Sequence, residues 1–238
     1  RPTVRVHRDL TGSTDHRSRV IPAFAAGRGP AIVSAPPDFI PVLISNGLVS
    51  PVLPEVMGFD SQQAIIDSYV VGSLDYVTVD GQLYGLPLEV TNWTLFINDQ
   101  HFYDAGLDPK TDYPKTWEDM FDLAEKMTVR RGSAIERRAF DFRYTSPEVW
   151  LEPMFDQFGI ELYNEDASAT LINQPATLEI LQLFRVWGPH GRNFGGPAYS
   201  PAHYYYTDPD SAGMAISGLY QVQRILAADE ELYENTTV

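Results

Sequence analysis

The chain has 238 residues, 44% of them hydrophobic, which is enough to bury one or two cores. Its 32 acidic residues outweigh 17 basic ones for a net charge of −15, which argues against nucleic-acid binding, since phosphates are met by basic patches. The absence of cysteine excludes disulfides, thiol nucleophiles and Cys-ligated metals, and no apolar run approaches the ~18–20 residues of a membrane span.

The chain starts with Arg1 rather than Met, and residues 1–15 hold charge without an apolar stretch. No signal peptide is visible, and a processed or trimmed start is expected. Val4 to His7 alternates like a short strand. Asp15 is placed to cap a helix ending near Gly27, interrupted at Pro22. Ala31 to Ser34 reads as a short buried strand, and "APPDFIPVLISNGLV" as a loop entering a helix stopped by Gly47. Asp60 or Ser61 caps a helix through Tyr69. "YVTVDGQLYGL" is a hairpin about Asp80-Gly81, a type I′ turn signal.

Residues 82–98, "QLYGLPLEVTNWTLFIN", are rich in strand formers over about three times the length of an ordinary strand of 5–6 residues, yet contain Pro87 and Glu89. A short helix stopped by Gly106 follows. "PKTWEDMFDLAEKMT" is a helix with Thr116 as cap, Asp119 at the capping-box position, and an apolar face of Trp117, Met120, Phe121, Ala124 and Met127. "SPEVWLEPMFDQFG" predicts a helix from cap Ser146 and Pro147 to Gly159, kinked at Pro153. A hairpin around Asn164 to Ala167 leads to a helix over "NQPATLEILQLFRVWG" with Leu178, Leu181 and Phe184 inward. Residues 189–207 have no period and read as a loop. "GMAIS" is a strand, and "GLYQVQRILAADEEL" opens a helix directly from it. Interleaved helices and strands make the class α/β.

Enzyme signatures are missing. There is no G-x-S-x-G, no phosphate-binding loop, and no G-x-G-x-x-G. The histidines His7, His16, His101, His190 and His203 lack metal-ligand spacing, and no cofactor is expected. Glu148 and Glu152 lie one helical turn apart, which suits a solvated stripe better than a glycosidase pair contributed by separate elements. The N-x-T matches at Asn92 and Asn235 read as chance.

Four segments in one order resemble the extracellular solute-binding proteins of ABC importers, the group that takes sugars, oligosaccharides and glycerol phosphates. They are "AFAAGRGPAIV", "GQLYGLPLEVTNWTLFINDQHFYDAGLDP", "PKTWEDMFDLAEKMT" and "GMAISGLY". One departure is Ala31 after Pro30, where the family has Asp. The resemblance implies a two-lobed α/β fold with mixed sheets and a hinge, of which this chain is a fragment lacking the family's start and end. The lobes are residues 1–89 and 90–238, with the hinge near 88–93. The long stretch is then a crossing segment, two strand halves in two sheets meeting at polar residues, which accounts for Pro87.

A cleft between such lobes binds ligand, and carboxylates, amides and aromatic rings suit a sugar's hydroxyls and ring face. On that resemblance the ligand-binding candidates are Asp38, Glu89, Asn92, Trp93, Trp150, Tyr220 and one tyrosine of "HYYYT", taken as Tyr205. Tyr220 stands where the family's Gly-x-Trp has its aromatic, in the first turn of a helix. Arg143 and Arg192 are the cations that a glycerol phosphate would call for. The implied function is binding of a sugar or polyol and delivery to ABC permease transmembrane subunits. The protein is expected to be a monomer, exported to the periplasm or anchored at the cell surface as a lipoprotein, without catalysis. A carbohydrate-active enzyme (a glycosidase or lyase) and a non-transport solute sensor are the alternatives.

Overall fold

The structure is a computed structural model that describes residues 5–10, 13–140, 142, 148–166, 168–195 and 212–238. The chain divides into two compact units, Arg1–Val90 and Thr91–Val238.

Turn chemistry shapes the first unit. Helix α1 (Ser13–Ala25) carries Pro22 inside it and has Asp15 in its first turn. A 3-10 turn over Pro37–Phe39 runs into α2 (Ile40–Ser45), with Gly47 at φ 64 behind it. Helix α3 (Pro54–Met57) follows, and α4 (Gln62–Asp67) is capped by Ser61, whose hydroxyl accepts the Ala64 N–H at 3.1 Å. Strands β1 (Thr78–Val79) and β2 (Gln82–Leu83) pair through Asp80 at φ 50 and Gly81 at φ 73, the two left-handed residues a type I′ turn requires. The Gln62 amide braces this hairpin: Nε2 donates to the Val52 carbonyl at 2.7 Å and Oε1 accepts from the Leu83 N–H at 2.9 Å. The apolar residues form two small clusters, one of Ile65, Leu74, Val77 and Leu83, the other of Val20, Phe39 and Leu43.

Two expected strands are not there. Residues 5–7 carry no regular structure, and Val4 lies outside the described residues. Ala31 and Ile32 form a bend, Val33 and Ser34 have no regular structure, and Ile32 is 92% exposed. A strand persists only when a neighbour completes its ladder, and no described segment pairs with either stretch.

In the second unit β3 (Trp93–Asn98) is the middle strand. It pairs antiparallel with β6 (Met214–Gly218) on one side and β7 (Thr236–Thr237) on the other. The overlong stretch thus resolves into β2 and β3, in separate sheets, joined by residues 84–92 without strand structure. Strands β4 (Val129–Arg131) and β5 (Ala134–Arg137) form another antiparallel pair, and Arg138 and Ala212 make an isolated parallel bridge.

Alternation divides β3 and β6 between two cores. Leu95, Ile97, Met214 and Ile216 turn to the larger one. Phe96 and Ala215 turn to Ile225 of α9 (Gln221–Ala228) and Leu232 of α10 (Glu230–Glu234). One helix was expected over 218–232, opening directly from the strand; a turn at Leu219 and Tyr220 comes first. Asp229 then divides the helix, its carboxylate accepting the Leu232 N–H at 2.9 Å as the cap of α10.

The larger core lies among α5 (Asp99–Asp104), α6 (Trp117–Met127), α7 (Glu148–Gln157) and α8 (Pro175–Trp187). At its centre Trp187, 1% exposed, meets Phe121, Phe140, Phe142 and Phe194 with ring centroids 5.2 to 5.7 Å apart, mostly edge to face. The capping box of α6 is complete: Thr116 Oγ1 accepts the Asp119 N–H at 3.1 Å, and Asp119 accepts the Thr116 N–H at 3.0 Å. Helix α8 packs Phe184 against the core as expected, but the rest of its buried stripe differs from the expected one. Thr177, Ile180 and Trp187 are inside, while Leu178 and Leu181 are 61% and 52% exposed. The large Trp187 ring sets the rotation, and Leu178 and Leu181 are out of phase with it. Ser146 and Pro147 lie outside the described residues, as does Ala167; the hairpin beside Ala167 shows as one antiparallel bridge, Tyr163 to Thr170.

Candidate ligand-binding site

The end of the β3–β6 pair gathers the chemistry. Trp93, the first residue of β3, is the register partner of Gly218, the last of β6. The chain then turns from β6 into α9 through Leu219 and Tyr220. Tyr220 is the N-terminal cap residue of α9, with helical backbone angles and no side-chain capping bond. That ring lies where a side chain at Gly218 would stand: a Cβ added there would come within 2.5 Å of Cε1 and 2.8 Å of Cδ1.

Polar groups surround the two rings. The Leu219 N–H donates to Thr91 Oγ1 at 3.2 Å, fixing the turn to the residue two before Trp93. The Ser217 hydroxyl, on a residue 3% exposed, donates to Tyr220 Oη at 3.4 Å. The Arg224 guanidinium, one helical turn on, stands 4.9 Å from the Tyr220 ring centre, a cation–π distance. Asn92 is exposed, and Trp93 is 39% exposed. The Gln221 side chain is fully buried at the start of α9, and neither its Nε2 nor its Oε1 has a hydrogen-bond partner among the described residues. Asn92, Trp93 and Tyr220 were expected from the sequence. Thr91, Gly218 and Arg224 were missed. The signal for Arg224 was its i+4 spacing from Tyr220.

The other expected residues do not join this cluster within the second unit. Asp38 and Glu89 belong to the first unit. Asp38 accepts a hydrogen bond of 2.7 Å from Arg17 of α1, and that guanidinium also lies 5.8 Å from the Phe39 ring. Glu89 is exposed in the strandless stretch between β2 and β3. Trp150 lies on α7, with its side chain outside the described residues; Tyr205 and Arg143 lie outside them altogether. Arg192 is 5.9 Å from the Phe121 ring and borders a separate groove of about 1050 Å³, lined also by Leu95, Trp117, Leu183 and Ile216. That groove shares no residue with the Trp93–Tyr220 end.

Electrostatic perturbation is found at turns and helix ends. Gln100 and then Arg137 hold the Asp104 carboxyl below its ordinary value. The Lys115 N–H, with that of Thr116, does so for Asp119, and the Ser168 hydroxyl and N–H do so for Asp166. Among the described residues no group of His, Asp or Glu is arranged to hold a metal, and no helix is long and apolar enough to cross a membrane.

This α/β fold is similar to that of solved solute-binding proteins of ABC transporters. Similar solved structures include an ABC transporter solute-binding protein from Thermotoga lettingae bound with alpha-D-tagatose (TM-score 0.74, 21% identity, covering 95% of this chain and 57% of that one). Another is the maltose/maltodextrin-binding domain MalE from Bdellovibrio bacteriovorus bound to maltotriose (TM-score 0.75, 22% identity, 96% of this chain and 56% of that one). The sequence is 26% identical over 165 residues to an arabinooligosaccharide-binding protein of Halalkalibacterium halodurans, covering 66% of this chain and 35% of that protein. A sequence profile for bacterial extracellular solute-binding proteins matches residues 3–218, and the chain belongs to that family. It spans about a third of the curated relative and just over half of the solved structures.

Proposed function

We propose that the protein binds a carbohydrate between two lobes and delivers it to an ABC permease. The observation that carries this reading is the pairing of Trp93 with Gly218, over which the Tyr220 ring lies, with the Thr91 and Ser217 hydroxyls at the same turn. A sugar presents an apolar ring face edged with hydroxyls. Flat rings receive the face, and donor-acceptor side chains receive the edge. The saccharides bound by the similar proteins support the same class of ligand.

On this reading residues 1–89 contribute one lobe and 90–238 the other, with the hinge near 88–93. The strandless run after Leu83 supports a joint there. Asp38 and Glu89 would serve the ligand from the first lobe, and Asn92, Trp93, Trp150, Tyr205 and Tyr220 from the second. The protein acts outside the cytoplasm, in the periplasm or as a surface lipoprotein, as a monomer, and releases its ligand unaltered.

Calorimetric titration with maltotriose, mannotriose and arabinotriose tests this. At least one binds, and Trp93→Ala and Tyr220→Ala each weaken it by about 1 kcal/mol or more, roughly five-fold in Kd. Unchanged affinity in both variants removes the site. Shortened saccharides after incubation would establish the enzymatic reading instead.

A further inference from the structure

We propose that Gly218 is a positioning residue for Tyr220: by presenting no side chain, it holds open the space in which the ring is set for ligand. This rests on the carbohydrate-binding reading of Tyr220, and it adds a residue that touches no ligand itself.

Gly218 is not glycine for backbone reasons. Its φ lies outside the left-handed region, unlike Gly47, Gly81 or Gly106, so alanine could take up the same backbone. What excludes a side chain is space. The first carbon of any side chain would meet Cε1 and Cδ1 of Tyr220 at 2.5 and 2.8 Å, well inside contact, and would lie 3.4 Å from Thr91 Oγ1. The ring is the element that has to yield. Thr91 Oγ1 is tied to the Leu219 N–H, and Gly218 is held in register opposite Trp93.

The described contacts of the ring include two polar neighbours. Ser217 donates to its hydroxyl at 3.4 Å, and Arg224 stands 4.9 Å from its centre. Both contacts are modest, one a long hydrogen bond and the other a cation on a surface helix. Neither could restore the ring against a steric overlap. A side chain at Gly218 would therefore displace Tyr220 from its place beside the backbone partner of Trp93. Two rings held in one fixed relation bind a ligand without first losing rotamer freedom, which is how preorganisation raises affinity.

The test is a double-mutant cycle on the 238-residue chain with Gly218→Ala, Tyr220→Ala and both together. Affinity for whichever of maltotriose, mannotriose or arabinotriose the unaltered chain binds is measured by calorimetry, and a crystal structure of Gly218→Ala is determined. Gly218→Ala is expected to lower affinity about as much as Tyr220→Ala, and the double variant no further than Tyr220→Ala alone, because the added methyl acts only through the ring. The crystal structure shows the ring displaced and the β3–β6 register kept.

Additive losses, or an unmoved ring, overturn the proposal. Should Gly218→Ala fail to fold while the double variant folds, the clash with the ring is supported. If neither folds, Gly218 has another role and the proposal falls. If the unaltered chain binds no saccharide, the carbohydrate reading fails on its own, and the displacement of the ring in the crystal still decides for or against the positioning of Tyr220 by Gly218.

Discussion

The two units solve the burial problem differently. The first keeps its apolar residues in two small clusters, joined to short helices and a hairpin with two residues in each strand. The second places one core of sixteen buried residues on one face of a sheet and a smaller cluster on the other. Burial rises with the size of the unit, so β3, covered on both faces, is a firm support for Trp93. The first unit depends on turn hydrogen bonds such as those of Gln62, and Asp38 and Glu89 are correspondingly exposed. The difference teaches that Trp93 and Tyr220 rest on the better-buried framework.

The strongest way to break this contrast is in the cores. Trp187→Ala is expected to cost about 3–5 kcal/mol, and Leu83→Ala about 2–5 kcal/mol. Hydrogen exchange read by mass spectrometry should show protection lost within 91–238 for the first and within 13–90 for the second. Simultaneous loss in both units for either variant would show that they are not separate cooperative bodies. A smaller effect has the opposite sign. The Gln221 amide is buried with neither polar atom partnered among the described residues, which costs about 1–3 kcal/mol, so Gln221→Met should raise the urea midpoint. A lowered midpoint would show that the amide is satisfied in solution.

Next comes the cap of α6. Thr116→Ala should cost about 1 kcal/mol in the urea transition. The Asp119 carboxyl is held below its unfolded value, so its contribution is complete above the ordinary carboxylate range near ~3.9 and is lost as pH falls through the lower folded value. The stability gap between the protein and Asp119→Asn should therefore close on acidification; a gap that persists at low pH would assign the effect to something other than the charge. The smallest effect belongs to the first unit. Arg17→Gln removes the exposed pair with Asp38 and should change stability by less than about 1 kcal/mol, less still in high salt. A larger loss would make the first unit more dependent on charge than its exposure implies.

Local signals were the legible part of the fold. Asp80-Gly81, the Thr116–Asp119 box and the strand–turn–helix at "GMAISGLY" each specify their structure within a few residues, and all are present. The errors arose where a distant partner decides. The α8 stripe is set by Trp187 meeting four rings from three other segments, and Ala31 to Ser34 had the composition of a strand without a neighbour. Strand β7 is two threonines recognisable only by pairing with Ile97 and Asn98. At the site, Trp93 and Tyr220 could be singled out as residue types. Thr91 could not, because its bond to Leu219 spans 128 positions of sequence.

The ring cluster around Trp187 has a spectroscopic consequence. The four tryptophans are at positions 93, 117, 150 and 187, and the residues up to Val90 contain none. Intrinsic tryptophan emission is therefore blind to the first unit. A denaturation curve followed by that signal alone would look like a single clean transition even if helices α1 to α4 had already melted. Far-ultraviolet dichroism counts the peptide bonds of both units, and the gap between the two curves is the first unit's own unfolding profile.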